Sequence, residues 1–430
     1  VLLEHGDLLR FGGDAILVFF TGDDHVGRAC RAAVDMREAI GDVETPGDPL
    51  GISIGLATGT ITADRIGQAS QEIIVSGPTV DRMLAAESAA SSGEIGIDDA
   101  LAEILPSDVV DATPHTKLLL DDPDIAPLLD DLPEVRIAEG VDPDRFISPD
   151  LRDRLTLSVQ EGQHRTASIG FLRVSGLGAL DDDDRVDALS RLFGSVIDRC
   201  GANAVSYLGA DVDKDGVKFI LAAGVPNRVR TKDGLASALH EIVESEQRLS
   251  ISGGSAHGAV FAGDLGAPGR RCYTVMADTV NLAARLAAAA PPGEVWTTAA
   301  ALDRTAGVFE TTSLPPIALK GKSMEVTPIR LDVLQAHADE DTITGEVIGR
   351  EAEIAAVRRL IDHGLAGSGA VVVLTGTEGL GKGTIAAAAT QDRAEVNTRL
   401  RCTDRWEGIH GIARRLIQLI LGSEDVYTAA

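Results

Sequence analysis

Apolar positions recur along this chain in two rhythms. Asp7–Phe19 reads as two short apolar strands around a Gly12-Gly13-Asp14 tip, which predicts a hairpin. Ser168–Val174 predicts another strand, and Arg185–Cys200 carries apolar residues at the spacing of an amphipathic helix. Val371–Thr375 is a run expected to form a buried strand, followed by a Gly-rich loop and an Ala-rich helix. Strands alternate with helices in each half, which predicts α+β or α/β layers with helices on a mostly antiparallel or mixed sheet.

The pattern occurs twice. Ile52-Ser53-Ile54-Gly55-Leu56-Ala57-Thr58-Gly59 matches Ile251-Ser252-Gly253-Gly254-Ser255-Ala256-His257-Gly258 at an offset of 199 residues. Ser92-Gly93-Glu94-Ile95 matches Pro292-Gly293-Glu294-Val295 at an offset of 200. A period this long means paired domains, because solenoid repeats are far shorter. The boundaries read as a first domain over 1–118, an acidic linker with one short helix over 119–165, a second domain over 166–333, and a third unit over 346–430. Val1–Arg10 reads like the interior of a domain, so the chain is expected to be a fragment at its N-terminus.

Composition narrows the function. The 430 residues include 66 acidic and 39 basic ones, a net charge of −27, which argues against nucleic-acid binding as the main role. Cys30, Cys200, Cys272 and Cys402 form no Cys-x-x-Cys pair and read as reduced thiols of a cytoplasmic protein. No apolar run approaches the ~18 residues that predict a bilayer span, and there is no secretory signal pattern. Only seven residues are Lys. A Lys at a chemically meaningful place, such as Lys214 or Lys382, therefore carries weight.

The chemistry concentrates around Thr274 and the Val280-Asn281-Leu282-Ala283-Ala284-Arg285 string. Asn281 and Arg285 are four apart and share a helix face, which can hold a ribose and a transferring phosphate together. Asn281 also suits a helix N-cap. Asp14, at a hairpin tip, can meet a divalent cation, or it closes an ordinary turn.

Together these segments resemble class III adenylyl/guanylyl cyclases, of the tandem-domain type typified by soluble adenylyl cyclase. The resemblance implies two ferredoxin-like βαββαβ domains in a pseudo-twofold pair. It implies Asp14 as a ligand of one or both of two Mg²⁺ or Mn²⁺ ions, Lys214 and Thr274 as adenine readers, Asn281 on the ribose, and Arg285 on the α-phosphate. Lys320-Gly321-Lys322 resembles a late phosphate-touching segment. The family's second metal carboxylate lies on a strand that would precede Val1, so weak or absent turnover is expected of the chain as given. In the second copy Arg173 fills that position.

Aligned by their second strands, the hairpins set Lys218 on Asp14 and Lys214 on Arg10. Lys214 also suits a solvated turn. At an offset of 200, Thr274, Asn281 and Arg285 fall on Ile74, Asp81 and Ala85. Each half lacks what the other supplies, which predicts one composite site, formed by intramolecular pairing, and one degenerate site. Arg10 and Leu84 replace the Lys and Arg that sense bicarbonate in soluble-cyclase relatives, so the resemblance does not extend to bicarbonate control.

Gly376-Thr377-Glu378-Gly379-Leu380-Gly381-Lys382 resembles the phosphate-binding loop of P-loop NTPases, with Lys382 on the β/γ oxygens. Gly383 intervenes before Thr384, the candidate metal contact. The expected activity is conversion of ATP to cyclic AMP and pyrophosphate in intracellular signalling. The alternative is a catalytically weak nucleotide sensor that regulates the attached ATPase.

Overall fold

The computed structural model describes residues 1–12, 15–44, 50–113, 116–127, 140–148, 150–152, 162–177, 180–213, 216–226, 233–267, 270–318, 325–337, 349–363, 366, 372–375 and 382–390. The chain divides into two compact units. One comprises Val1–Thr305 and Glu310–Val333, the other Ala306–Phe309 and Leu334–Ala430.

The first half of the first unit opens with β1 (Asp7–Gly12) and β2 (Ala15–Phe19), the expected hairpin. Helix α1 (His25–Gly41) follows, then β3 (Ile54–Leu56), β4 (Thr62–Ile66), β5 (Glu72–Ser76), α2 (Pro78–Ala89), β6 (Ile95–Ile97), α3 (Asp99–Ile104), β7 (Val110–Ala112) and β8 (Lys117–Leu119). Strands β3-β6-β8-β7 form one sheet, while β1-β2 and β4-β5 are separate ribbons. Cys30, Ala33 and Val34 of α1 pack with Ile54, Ile95 and Leu119 in this half's core.

The second half is more continuous. It contains β9 (Gln163–Ser175), α4 (Asp182–Ala202), β10 (Ser206–Asp213), β11 (Gly216–Ala223), α5 (Leu235–Ser245), β12 (Ser250–Ala267), β13 (Arg270–Met276), α6 (Asp278–Ala289), β14 (Val295–Thr297), α7 (Ala299–Leu302), β15 (Gly307–Ser313) and β16 (Ile329–His337). The sheet order is β10-β11-β9-β12-β14-β16-β15, with β13 paired to β12. From β9 to β12 the chain runs strand-helix-strand-strand-helix-strand. All three pairings among those strands are antiparallel, the ferredoxin-like arrangement. Helix α4 begins where Asp181 caps the Asp184 amide at 2.8 Å, and three more Asp lie in its first turn, where the helix dipole favours negative charge.

The repeat is visible in the elements themselves. Helices α2 and α6 begin and end 200 residues apart, as do β6 and β14. Each helix presses on a strand glycine at matching places. A Cβ on Gly55 would stand 2.3 Å from the Met83 carbonyl oxygen, and one on Gly254 would stand 2.1 Å from the Ala287 nitrogen.

One boundary differs from expectation. β9 begins at Gln163, inside the segment read as linker. Parts of that segment are docked: Arg31 donates to Asp122 Oδ2 at 2.8 Å and to the carbonyl of Ala126 at 2.6 Å, and the Gln71 amide donates to the carbonyl of Arg145 at 2.7 Å. Acidic, Pro-rich composition hid this, because it does not show which distant side chain or amide a carboxylate or carbonyl will meet.

In the second unit, α8 (Glu351–His363) and α9 (Lys382–Thr390) share a small core of Val357, Ile385 and Ala389. The expected buried strand is not formed. Residues 372–375 have no regular structure, and Val373 is 74% exposed. A strand needs a paired neighbour, and among the described residues of this unit from Leu334 onward there is none beyond the end of β16.

Ser168 links three elements of the second half, donating to Asp233 Oδ2 at 2.6 Å and accepting from His257 Nδ1 at 2.8 Å. Burial raises the Asp233 pKa; burial, then the nearby Arg304, lowers that of His257. The folded state thus favours neutral His257, and the unfolded chain binds its proton first as pH falls. Asp233 acts with opposite sign, because its folded form holds a proton to higher pH than the unfolded one. We expect the difference in unfolding free energy between wild type and His257→Gln to depend on pH below ~6.5, with the wild type losing ground as pH falls, and to level off above it. Urea titrations between pH 5 and pH 8 check this.

The glycine contacts give a pair of opposite expectations. Gly254→Ala should destabilise by about 1–3 kcal/mol, since helix and strand backbones must part. Gly194→Ala, in mid-helix with open space around a new Cβ, should stabilise by about 0.5–1 kcal/mol. Urea unfolding of the two variants decides both.

Candidate functional site

Of the residues singled out above, three lie on one continuous segment. Thr274 is on β13, opposite Gly263 of β12, and is buried. Asn281 and Arg285 follow on α6. The helix starts at Asp278 with Ala277 as its cap, so Asn281 lies inside the first turn and is not an N-cap. Its side chain is exposed. Val280, Ala283 and Ala287 face the core with Ala256 and Ile169, and Ser252 donates to the Ala287 carbonyl at 2.8 Å. Small residues on that face let the helix lie flat on the sheet and turn Asn281 away from it.

Arg285 is half-buried. Its Nη1 is fully shielded and meets no hydrogen-bond acceptor among the described residues. A shielded guanidinium N–H without an acceptor is costly to hold, and such a group suits an anionic partner.

Asp14, Lys214, Lys320, Gly321 and Lys322 lie outside the described residues, as do Gly376, Gly379 and Gly381. Lys382 opens α9, and Thr384, two residues on, is exposed. Among the described residues no three His, Cys, Asp or Glu side chains come together as a metal cage. In the first copy Ile74 is buried on β5, and Asp81 sits in the first turn of α2.

The strand register corrects the hairpin alignment. Both hairpins carry a bulge, between Leu8 and Arg10 in one and between Tyr207 and Gly209 in the other. Counted from those bulges, the rung Gly12–Ala15 corresponds to Asp211–Lys218, so Lys218 matches Ala15, one residue from Asp14. The second hairpin then continues for two further rungs, Val212–Val217 and Asp213–Gly216. That extension has no counterpart in the first hairpin, and Arg10 matches Gly209. Apolar alternation sets a strand's faces but cannot show an extra pair of rungs.

The halves meet through their hairpins. Cα atoms of β1 come within 8 Å of β13, those of β5 within 8 Å of β10, and those of β1 within 8 Å of β10. Arg185 of α4 pairs with Asp64 of β4 at 3.0 Å, and the Gly67 amide donates to Ser190 Oγ at 3.3 Å. Tyr207 of β10 donates to Glu72 Oε2 at 2.6 Å, and Arg10 donates to Glu72 Oε1 at 2.8 Å. Desolvation, and then the Glu72 charge, push the Tyr207 pKa well above its ordinary value. Glu72 and Tyr207 belong to no motif. Their only signal in the sequence is the scarcity of tyrosine, three in the whole chain.

The family of the Adenylate and Guanylate cyclase catalytic domain matches residues 13–120 and 211–330, more than half of the chain. The chain belongs to that family. Both matched stretches fall on the two halves of the repeat, so the protein is a nucleotide cyclase homologue with family sequence in each half. No curated protein sequence matches the chain. Among solved structures it is similar to the adenylyl cyclase CyaB from P. aeruginosa, at 20% identity over 41% of this chain and 99% of that one, with a TM-score of 0.36. It is similar also to the guanylate cyclase domain of RhGC from Catenaria anguillulae in complex with GTP, at 17% identity over 41% and 100%, TM-score 0.35. Adenylyl and guanylyl cyclases thus both appear among its structural neighbours. No helix among the described residues is long and apolar enough to cross a membrane.

Arg285→Met removes the shielded N–H while keeping the packed stem. Unfolding in urea without nucleotide should show stability unchanged or raised by about 1 kcal/mol. A loss larger than that would make the guanidinium a structural tie.

Proposed function

We propose that this protein converts ATP to cyclic AMP and pyrophosphate at one composite site shared by the two cyclase halves. The observation that carries this reading is the reciprocal meeting of the hairpins: β1, the approach to Asp14, runs beside β13, which holds Thr274. The companion approach of β5 to β10, with β1 against β10 between them, is what a pseudo-twofold pair of like domains requires. A first half rich in hairpin acid and a second half rich in nucleotide readers then complement each other.

In this reading Asn281, exposed on α6, orients the ribose. Arg285 meets the α-phosphate as negative charge builds during attack by the ribose 3′-oxygen. The new bond joins that oxygen to the α-phosphorus, the bond from the α-phosphorus to the bridging oxygen breaks, and pyrophosphate leaves with the electron pair. A donor already aimed and already desolvated contributes most at that moment. Thr274, buried on β13, reads the adenine edge. Asp14 is the candidate ligand for Mg²⁺ or Mn²⁺, whose chemistry in such sites is to acidify a hydroxyl and polarise a phosphate. The α9 segment from Lys382 is read as the start of a second nucleotide-binding module, supported by a Lys at the first residue of a helix after a Gly-rich loop.

The test is cyclic nucleotide formation from ATP and from GTP with Mn²⁺ by the protein in its natural full length. Cyclic AMP is expected from ATP, at least tenfold above cyclic GMP from GTP. Asn281→Ala and Arg285→Ala should each lower kcat by about a hundredfold or more, as lost transition-state donors do. ATP binding without product would favour a nucleotide sensor, and cyclic GMP as main product would reverse the assignment of the base.

A further inference from the structure

Glu72 occupies a place that no nucleotide chemistry explains. Its carboxylate is largely enclosed and both oxygens are engaged. Oε1 accepts from Arg10 Nη2 at 2.8 Å and from the Ile73 amide at 3.0 Å, and Oε2 accepts from Tyr207 at 2.6 Å. Arg10 stands on β1, four residues before Asp14. Tyr207 stands on β10, the first strand of the second hairpin. One carboxylate thus ties the stems of both hairpins, one from each half of the repeat.

The tie is rigid at both ends. Arg10 is fixed a second time by donating to the Ile73 carbonyl at 2.7 Å. The Tyr207 ring lies edge-on to Phe193 at 5.3 Å and to Phe219 at 6.1 Å, in the core of the second half. It is also one-sided. By strand register and the 200-residue repeat, Arg10, Glu72 and Tyr207 correspond to Gly209, Cys272 and Leu8. That trio offers no carboxylate and no cation, so the equivalent bridge cannot form on the side where Thr274 lies.

We propose that Glu72 is a positioning residue that clamps β1 to β10 and thereby fixes the separation of the two hairpins, one from each half. The clamp stands on the twin of the nucleotide side, leaving that side open while the halves stay registered without a second ligand. The role in turnover rests on the cyclase reading given above; the clamp itself does not.

Tyr207→Phe removes one hydroxyl and keeps the ring, and Glu72→Ala removes the carboxylate. Hydrogen exchange of the whole chain should quicken about fivefold in both hairpins, residues 7–19 and 206–223, with β12 and α6 unchanged. In turnover, both variants should lower kcat about tenfold and raise the Mn²⁺ concentration for half-activity, while the Kd for a fluorescent ATP analogue stays within about twofold. Unchanged exchange in either hairpin, or faster exchange throughout the unit, would overturn the clamp. Faster exchange in the hairpins with no product from the unaltered protein in its natural full length would support the clamp and overturn the cyclase reading instead. Hairpin exchange that quickens while kcat and metal demand stay fixed would overturn the positioning role.

Discussion

Backbone pressed on backbone, helix on strand, is the constraint from which the catalytic architecture follows. At Gly254 the strand offers no side chain, and α6 lies close enough that any Cβ would collide with the Ala283 carbonyl oxygen and the Ala287 nitrogen. The same approach recurs at Gly55, where Met83 and Glu87 of α2 fill the place of a Cβ. Such contact leaves a helix little freedom to roll or slide. Once the Ala283 and Ala287 face is fixed inward, Asn281 is fixed outward, and Arg285 is held at the rim of the packed layer. A reactive constellation needs that rigidity, because its donors are useful only when already aimed.

The two halves use this constraint differently. In the second, β9 runs between β11 and β12, so hairpin, central strands and helix-bearing strand form one sheet. In the first, no described strand joins the β1-β2 hairpin to the sheet around β3. The hairpin is tied instead through Arg10 to Glu72 and Ile73 of β5, and Glu72 in turn accepts from Tyr207 of the other half. A charge enclosed between domains is retained only if its partners satisfy it. Here Glu72 has a guanidinium, an amide and a hydroxyl. Arg285 is the contrasting case: its shielded Nη1 has no acceptor among the described residues.

Much of this was legible in the sequence. The repeat near 200 residues, the hairpin at Asp7–Phe19, the helix around Arg185–Cys200 and the segment joining Thr274 to Arg285 all follow from periodicity and from residues near one another in the chain. Local patterns of this kind survive folding because the side chains that create them also bury the element's face. The acidic stretch before Gln163 reads as a linker, yet Asp122, Ala126 and Arg145 are tied to distant residues that composition does not reveal. Residues 372–375 are apolar enough for a buried strand, but apolarity cannot provide the neighbour that a strand must pair with.

What the sequence determined by itself was the identity of the units: the family and the duplication, with Asp14 in one copy and Thr274, Asn281 and Arg285 in the other. What only the tertiary structure decided was register and meeting. The bulges that put Lys218 opposite the place of Ala15, the approach of β1 to β13, and the bond between Tyr207 and Glu72, 135 residues apart, depend on where two separate hairpins end and how they face. Hydrophobic periodicity specifies which side of an element is buried. It does not encode how many rungs a ladder has or which distant strand lies beside it, because those follow from close packing between elements.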